Sequence, residues 1–354
     1  MRGSAVVVGA GIGGLAAARA LLLAGWRVQV RERSDAPTTG GTALGMWPQA
    51  MAAIDRLDLG DAVRLRSAAQ RGGQILRPDG AVLARVGGRG SVHLVSRGDL
   101  LATLADSLPD GAIRWGHPVR GPADVPEADL VVAADGIHSV FRPAGPRPLG
   151  TVAFRGTVPG TVSTVTETWG RGRLFGITPN GDGAINWFAC VRAERVPTDR
   201  SPGTTAAALR ELFDGWHDGV AAVVDAVDPA GVDRRRLSDL PPLATYVRGR
   251  VALLGDAAHA MAPNLGRGAC ETLLDAVALA DALTVGQDVD EGLRRYDRDR
   301  RPPTRRLVRL ARVVNRVSTA EGGAGPRDLA LRGLLTVTPG RRRATDESTV
   351  RDPH

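Results

Sequence analysis

Three separated segments of the chain combine an aliphatic run with a turn that could bind a phosphate group or a planar ring. They are residues 6–14, 130–136 and 251–256. Each is typical of a buried parallel strand that leads into a tight loop. One such segment alone is ambiguous, but three of them in one chain predict a site for a dinucleotide cofactor.

The first loop has the spacing G-x-G-x-x-G between a predicted strand and a predicted helix. Its first glycine allows a tight turn, its second lets a pyrophosphate approach the backbone, and its third lets the helix pack on the strand. The phosphates then meet free N–H groups and the positive end of the helix dipole. We therefore expect cofactor contacts from six residues: Gly9, Ala10, Gly11, Ile12, Gly13 and Gly14.

Glu32 ends the second predicted strand, 18 residues after Gly14. A carboxylate at this spacing accepts hydrogen bonds from both hydroxyls of an adenosine ribose and would repel a 2′-phosphate. Glu32 and the neighbouring Arg33 are therefore predicted to hold the adenosine end of the cofactor.

The third segment ends in Asp256, whose carboxylate suits a hydroxyl of a ribityl chain. Gly266 and Gly268, followed by Ala269, precede a long predicted helix and let backbone N–H groups approach a planar ligand. The N-terminus of this helix favours the negative charge that a reduced flavin carries near N1 and C2=O. The three segments in this order indicate FAD. His259 is expected to be a buried structural histidine.

The remaining pattern predicts alternating strands and helices. Helices are expected at residues 12–24, 49–57, 204–216, 220–227 and 268–283, with one of about ten residues from Arg97. A polar stop is expected at 60–61, and breaks in the strands of 70–95 at 78–80 and 87–88. A hairpin turn is predicted at 179–183. A last amphipathic helix is expected to pack through Leu307, Leu310, Val314 and Val317.

These motifs resemble those of the class A flavoprotein monooxygenases, which include p-hydroxybenzoate, salicylate and urate hydroxylases. The similarity runs from residue 4 to residue 318. It rests on the segments 9–14, 32–33, 41–48, 95–100, 135–136, 255–256 and 263–269. The resemblance implies an α/β fold: a Rossmann-like FAD-binding domain of the glutathione reductase type, an inserted, mainly β-sheet substrate domain and a C-terminal helix.

The domain boundaries implied by the resemblance are discontinuous. The FAD-binding domain is expected to comprise residues 1–68, 91–143 and 244–285. The substrate domain is expected at 69–90 and 144–243, followed by a helical region at 286–340. The charged tail at 341–354 is expected to be disordered.

The resemblance also assigns roles on the cofactor side. Arg97 is implied to approach the diphosphate and the ribityl chain, Asp135 to support the pyrophosphate, and Asp256 to bind the ribityl chain. Gly45 and Val119 are implied to contribute backbone contacts.

On the substrate side, Pro263 is implied to lie beside the flavin ring. Arg267 stands where many family members have glutamine, and two interpretations stay open: it binds an anionic substrate, or it forms a salt bridge at the surface. Asn186 is the third candidate for a catalytic role. The candidate pocket residues, read from alternation in strands and from the motif at 41–48, are Trp47, Phe175, Ile177, Asn186 and Phe188. No residue stands out as a general base for a phenol.

The resemblance implies that NADH or NADPH reduces FAD, that dioxygen gives a C4a-hydroperoxide, and that one oxygen atom passes to a phenolic or polyketide-like substrate. An FAD-dependent oxidoreductase without oxygen insertion shares the same motifs, as do an epoxidase and a Baeyer–Villiger oxygenase. A flavin-binding regulatory protein without turnover is a further alternative. The protein is expected to be a monomer or a homodimer.

Composition limits the other classes. All 46 basic residues are arginine and the net charge is +8, but the arginines are spread along the chain, which argues against nucleic-acid binding. The positive charge is suited to steering an anionic nucleotide or substrate. Two cysteines without a metal-ligand pattern indicate a reducing, cytoplasmic setting and no metal. No segment reaches transmembrane length, so no membrane partner is expected.

Overall fold

The computed structural model describes residues 2–37, 41–180, 183–286, 288–322 and 325. Within these residues the strands form a six-stranded and an eight-stranded sheet. None of the described helices combines the length and the apolar content that a membrane span requires.

The strands of the two sheets alternate along the chain. In chain order they are β1 (Ser4–Val8), β2 (Arg27–Arg31), β3 (Ala43–Met46), β4 (Ser67–Leu76), β5 (Val82–Ser96), β6 (Ile113–Arg114), β7 (Leu130–Ala133), β8 (Arg147–Pro159), β9 (Val165–Trp169), β10 (Arg173–Pro179), β11 (Ala184–Arg192), β12 (Asp233–Asp239), β13 (Val247–Arg248) and β14 (Val251–Leu253).

The α-helices lie between them and after the last strand. They are α1 (Ile12–Leu23), α2 (Pro48–Asp55), α3 (Gly60–Leu65), α4 (Arg97–Asp106), α5 (Pro202–Phe213), α6 (Asp218–Asp225), α7 (Asp256–His259), α8 (Gly268–Val285) and α9 (Val289–Ser318).

The six-stranded sheet has the order β13-β14-β7-β1-β2-β6. Strands β14, β7, β1 and β2 run parallel, and helices α1 and α8 pack together beside the sheet in one large apolar core. Parallel strands are buried on both faces, which explains why these segments are aliphatic runs without alternation. Their carboxyl ends share one edge of the sheet, so the loops that follow them converge there.

The eight-stranded sheet has the order β12-β8-β11-β10-β9-β4-β5-β3 and is antiparallel except between β4 and β9. Helices α5 and α6 cover one of its faces, with which they form a second apolar core. We call this the helix face and the opposite side the inner face. A smaller apolar cluster, which includes Trp169, Leu174 and Cys190, lies on the inner face.

The hairpin of β10 and β11 corrects two of the predicted pocket residues. Its register pairs Gly176 with Phe188 and Thr178 with Asn186, so Asn186 and Phe188 share the inner face. Phe175 and Ile177 point to the helix face, where they are 0% and 5% exposed among the residues of α5 and α6. Their prediction as substrate contacts is wrong, because alternation within one strand does not fix which face meets the ligand.

Three further details differ from the sequence-based prediction. The stop expected at 60–61 is the start of α3, and β5 continues through Gly87 and Gly88 as one 15-residue strand. The predicted seam of α9 is wrong: Leu310 and Val317 are 50% and 41% exposed.

The buried face of α9 consists largely of small and polar residues, among them Thr304, Ala311, Asn315 and Ser318. The hydroxyls of Thr304 and Tyr246 are 2.8 Å apart, and Asn264 Nδ2 donates to Ser318 Oγ at 3.1 Å. Buried hydrogen bonds therefore position the helix where the sequence pattern predicted aliphatic contacts.

The position of Phe175 gives a first prediction. Phe175→Ala removes a ring that stacks on Trp187 and meets Phe213 edge-on, so the free energy of unfolding should fall by about 3–5 kcal/mol in urea titrations. The KM for the substrate should change little, because the ring faces α5. A large change in KM with unchanged stability would contradict the assignment of faces.

Candidate active site

Four predicted cofactor residues follow strand ends that lie side by side. Ala133 of β7 pairs with Val8 of β1 and with Leu253 of β14, and Val8 also pairs with Arg31 of β2. Gly9, Glu32, Asp135 and Asp256 lie one to three residues beyond these ends. The sheet therefore brings together segments that are separated by more than 200 residues in the chain.

The glycine loop is closely packed at some positions and open at one. A Cβ at Gly14 would lie 1.8 Å from the carbonyl oxygen of Gly9, and a Cβ at Gly13 would lie 2.6 Å from Thr272 Cγ2. A Cβ at Gly11 would meet no atom within 4 Å. Gly11 is the N-cap of α1, whose first turn contains no acidic residue and no side-chain cap. The loop thus leaves space and free N–H groups for a phosphate.

Glu32 ties the loop to the end of β2. Its Oε2 accepts a hydrogen bond from Ala10 N at 2.7 Å, and its Oε1 accepts one from Ser34 N at 2.9 Å. Each carboxylate oxygen retains a second lone pair for a ribose hydroxyl. Arg33 beside it is exposed, and the backbone N–H of His117, two residues before Val119, donates to Glu32 O at 2.8 Å. The adenosine-side candidates therefore lie close together.

Asp135 carries a buried oxygen that lacks a protein partner. Its Oδ2 accepts a hydrogen bond from Val140 N at 2.9 Å, whereas its Oδ1 is buried without one. Burial raises the pKa of Asp135. Arg142, on the same loop, donates to the carbonyl oxygens of Ala257 and Ala258, so this loop is fixed to the turn that carries Asp256.

Asp256 and Arg97 attract each other electrostatically. Both residues are exposed to solvent, yet desolvation by surrounding protein raises the pKa of Asp256 and lowers that of Arg97, partly offset by their mutual attraction. These observations agree if both side chains lie inside a cleft that is open to water. Arg97 begins α4, where Ser96 Oγ caps the helix by accepting from Asp99 N at 3.0 Å.

The start of α8 forms another wall of this cleft. Gly266 adopts φ +59°, which favours glycine, and a Cβ at Gly268 would meet no atom within 4 Å. Cys270 Sγ lies 3.2 Å from Gly45 O, so the first turn of α8 contacts β3. Ala269 and Pro263 are half-buried beside it. This open helix start fits the flavin position predicted from the sequence.

A buried ionic network supports the turn before Asp256. Asp275 Oδ2 accepts from Gly255 N at 3.0 Å and lies 2.5 Å from His259 Nε2, while Arg300 Nε lies 2.6 Å from its Oδ1. Burial opposes the charge of Asp275, but His259 and Arg300 outweigh it and lower its pKa. Burial likewise opposes protonation of His259, but Asp275 raises its pKa. Arg300 extends the network to Glu271 at 2.8 Å.

Arg267 joins the same network. Its Nη2 lies 2.6 Å from Glu271 Oε1, and its guanidinium carbon lies 5.9 Å from the ring centroid of Trp47. Its Nη1 lies 3.5 Å from Gln49 Oε1. Of the two interpretations left open by the sequence, the structure has the salt bridge, and it is directed at a buried glutamate. A contact of Arg267 or Pro263 with substrate stays a prediction.

The inner face of the eight-stranded sheet closes the site. Asn186 Oδ1 accepts from Ala43 N at 3.1 Å, and its Nδ2 donates to Thr178 Oγ1 at 2.8 Å. Asn186 therefore links β3, an edge strand of this sheet, to β11. Its role toward substrate stays a prediction. Phe188 is half-buried on the same face.

Sequence reasoning missed several residues of the site. Glu271 and Asp275 lie four positions apart in an apolar helix. Two acids at this spacing repel each other unless cations neutralise them, which was a signal for a buried ionic network. Arg155 of the inner face gave no comparable signal, because only the register of several strands brings it near Arg97.

The residues present fit FAD: a glycine loop at a helix start, an acid at the end of β2, an unpartnered oxygen of Asp135 and a cleft carboxylate. Comparison with known proteins agrees. The chain matches the family described as FAD binding domain over residues 119–311. It therefore belongs to this family.

Individual relatives cover most of the chain. It is 31% identical over 322 residues to the aurachin C monooxygenase/isomerase of Stigmatella aurantiaca, covering 82% of this chain and 83% of that protein. It is 32% identical over 345 residues to the FAD-dependent urate hydroxylase of Klebsiella oxytoca, covering 87% and 88%. The crystal structure of Klebsiella pneumoniae HpxO with FAD and uric acid matches with TM-score 0.83 and 27% identity, covering 94% and 92%.

The packing of the glycine loop yields a prediction. Gly14→Ala places a methyl group against Gly9 O, so the purified protein should contain little FAD and lose about 1–3 kcal/mol of stability. Flavin absorbance per protein and urea unfolding measure both effects. Gly203→Ala, in α5 with open space around the added carbon, is the matched control. Full FAD content in Gly14→Ala would show that this loop does not hold the cofactor.

The ionic network yields another prediction. Asp275→Asn removes the charge that faces both His259 and Arg300 and leaves Arg300 with Glu271 alone, so the unfolding free energy should fall by about 3–5 kcal/mol. FAD should also bind more weakly, because the turn at Gly255 loses its anchor. Asp281→Asn, on the same helix but in an exposed pair with Arg56, should cost about 1 kcal/mol or less. Equal losses in the two variants would contradict the proposed role of Asp275.

Proposed function

We propose that this chain, an FAD-dependent monooxygenase, inserts one atom of dioxygen into an aromatic small molecule at the expense of NADH or NADPH. The observation that carries the proposal is the position of Arg97, which is attracted to Asp256 on the cofactor side and has its pKa lowered by Arg155 and Arg235 of the inner face. We infer a cleft between these groups, with the start of α8 on its cofactor side and Phe188 on the inner face. The redox chemistry, acceptance of hydride and activation of dioxygen, is supplied by bound FAD.

The residues of the chain position this chemistry. Gly11 and the N-terminus of α1 receive the pyrophosphate, Glu32 the adenosine ribose, and Asp256 the ribityl chain. The N-terminus of α8 stabilises negative charge on the ring. The buried network of Asp275 keeps the turn before Asp256 in place, so Asp256 would hold the ribityl chain in one position.

The inner face orients the substrate and limits access of water. Phe188 offers a ring surface for an aromatic compound, and the apolar cluster beside it excludes water from the site of oxygen transfer. Arg155 and Arg235 both lie close enough to Arg97 to lower its pKa further. Several cations around one cleft support a substrate that carries an acidic group, as does the uric acid bound to Klebsiella pneumoniae HpxO.

We also propose that the protein acts in the cytoplasm. Cys190 and Cys270 are both buried free thiols, which suits a reducing compartment.

The proposal predicts a yellow protein whose NADH or NADPH oxidation is accelerated by an aromatic substrate. A panel of phenolic and polyketide compounds, including 4-hydroxybenzoate, salicylate and urate, should contain at least one such compound. With oxygen-18 dioxygen, the product should gain one labelled atom by mass spectrometry. Accelerated oxidation without oxygen in the product would indicate an oxidoreductase of another type, and a protein that takes up no flavin would refute both.

A further inference from the structure

Glu167 is a carboxylate at the centre of the inner face. The strand registers pair it with Ile75 of β4 and Gly176 of β10, and Gly176 in turn pairs with Phe188 of β11. Phe188 pairs with Arg155 of β8. Because directly paired residues point to the same side of a sheet, these side chains form one row across the inner face, with a carboxylate and a guanidinium on either side of an aromatic ring.

This row faces the cofactor residues. Arg155 acts electrostatically on Arg97, which in turn is attracted to Asp256. Asn186, two residues before Phe188 on the same face of β11, accepts a hydrogen bond from Ala43 of β3. The charge effect places Arg155 near Arg97, and the hydrogen bond links the strand of Phe188 directly to β3.

The ring of Phe188 leans from β11 over β10. A Cβ at Gly176 would lie 2.1 Å from Cζ of Phe188 and within 2.6 Å of two further ring carbons. The ring therefore lies over the glycine and extends toward β9, where Glu167 is located. An aromatic substrate that contacted this ring would therefore lie close to the carboxylate of Glu167.

Glu167 has the surroundings of a proton acceptor. The residue is half-buried, and its Oε2 accepts from Trp169 Nε1 at 2.8 Å. No cation of the described residues lies within ion-pair distance of it. Burial raises its pKa, against the effect of the Trp169 hydrogen bond. A carboxylate held this way is more basic than an exposed one.

Few other groups near Glu167 can ionise. Burial raises the pKa of Cys190 to about 12, so this thiol stays neutral, and Arg155 is a permanent cation. The remaining side chains that face Glu167 from β4, β9, β10 and β11 are uncharged: Ile75, Trp169, Leu174 and Phe188. A titration seen at this end of the cleft therefore belongs to Glu167 or to the substrate.

We propose that Glu167 is the general base that takes the proton from the acidic O–H or N–H group of the aromatic substrate. This inference rests on the proposed function. The O–H or N–H bond of the substrate breaks, an O–H bond forms on Glu167 Oε1, and the electron pair stays on the substrate, which increases the electron density of its ring. Because Glu167 is partly exposed, the proton can later pass to solvent.

Glu167→Gln tests the proposal. The substrate is whichever compound of the phenolic and polyketide panel, which includes 4-hydroxybenzoate, salicylate and urate, the wild-type enzyme oxygenates fastest. The amide keeps an oxygen for Trp169 but cannot accept a proton, so kcat/KM for oxygenation should fall by about 100-fold or more. FAD content and melting temperature should remain those of the wild type. Glu211→Gln, an exposed residue of α5, is the matched control and should leave the rate unchanged.

The pH profile separates a base from a structural residue. Glu167 must be ionised to act, so wild-type kcat/KM should rise with pH through an acid limb that lies above the usual range of a glutamate. The limb should vanish in Glu167→Gln and reappear, with a lower maximum, in Glu167→Asp. If the acid limb persists in Glu167→Gln, another group titrates and the proposal is wrong, whatever the size of the loss. A failure of the proposed function is distinct, because the wild-type enzyme would then insert oxygen into none of the compounds.

Discussion

The buried contact of Asp275 with Gly255 N, His259 and Arg300 is the constraint on which the site depends. It joins three elements: the exit of β14, the middle of α8 and the first half of α9. A carboxylate without exposed surface is costly unless it is paired and hydrogen-bonded, and here both oxygens are used. The contact fixes the backbone just before Asp256 and the direction of α8, whose N-terminus faces the same cleft.

Charge balance explains why this polar centre is tolerated. Asp275 raises the pKa of His259 against the effect of burial and so favours its protonated form, while Arg300 pairs with Asp275 and Glu271, and Arg267 pairs with Glu271. Such networks rarely add net stability over an apolar core, but they admit few alternative arrangements. The network therefore contributes geometry more than folding energy, which is what a cofactor held at a fixed distance from a substrate surface requires.

The strands, loops and helix starts on the cofactor side were predictable from the sequence because their signals are local, while the roles of their single residues toward FAD stay predictions. The loop after β1, the acid after β2 and the start of α8 each depend on a few consecutive residues, and their strands read as aliphatic runs. The substrate side depends on register. Alternation within β10 or β11 is equally compatible with either face of the sheet. The pairing of the two strands shows which residues share a face, and α5 and α6 cover the face that carries Phe175. Arg155 and Glu167 come to lie in one row only through the pairing of four strands, β8, β11, β10 and β9.

The exposed apolar seam of α9 and the pair of Arg267 with Glu271 show how tertiary contacts override local patterns. A cation at the N-cap of α8 is unfavourable next to the positive end of the helix dipole. Glu271 lies in the first turn of the same helix and takes up that charge at 2.6 Å. The pair is neutral, so the field that remains at the helix start is that of its free N–H groups. Arginine is thus accommodated at this position without losing the free N–H groups of α8 that we propose to stabilise negative charge on a flavin ring.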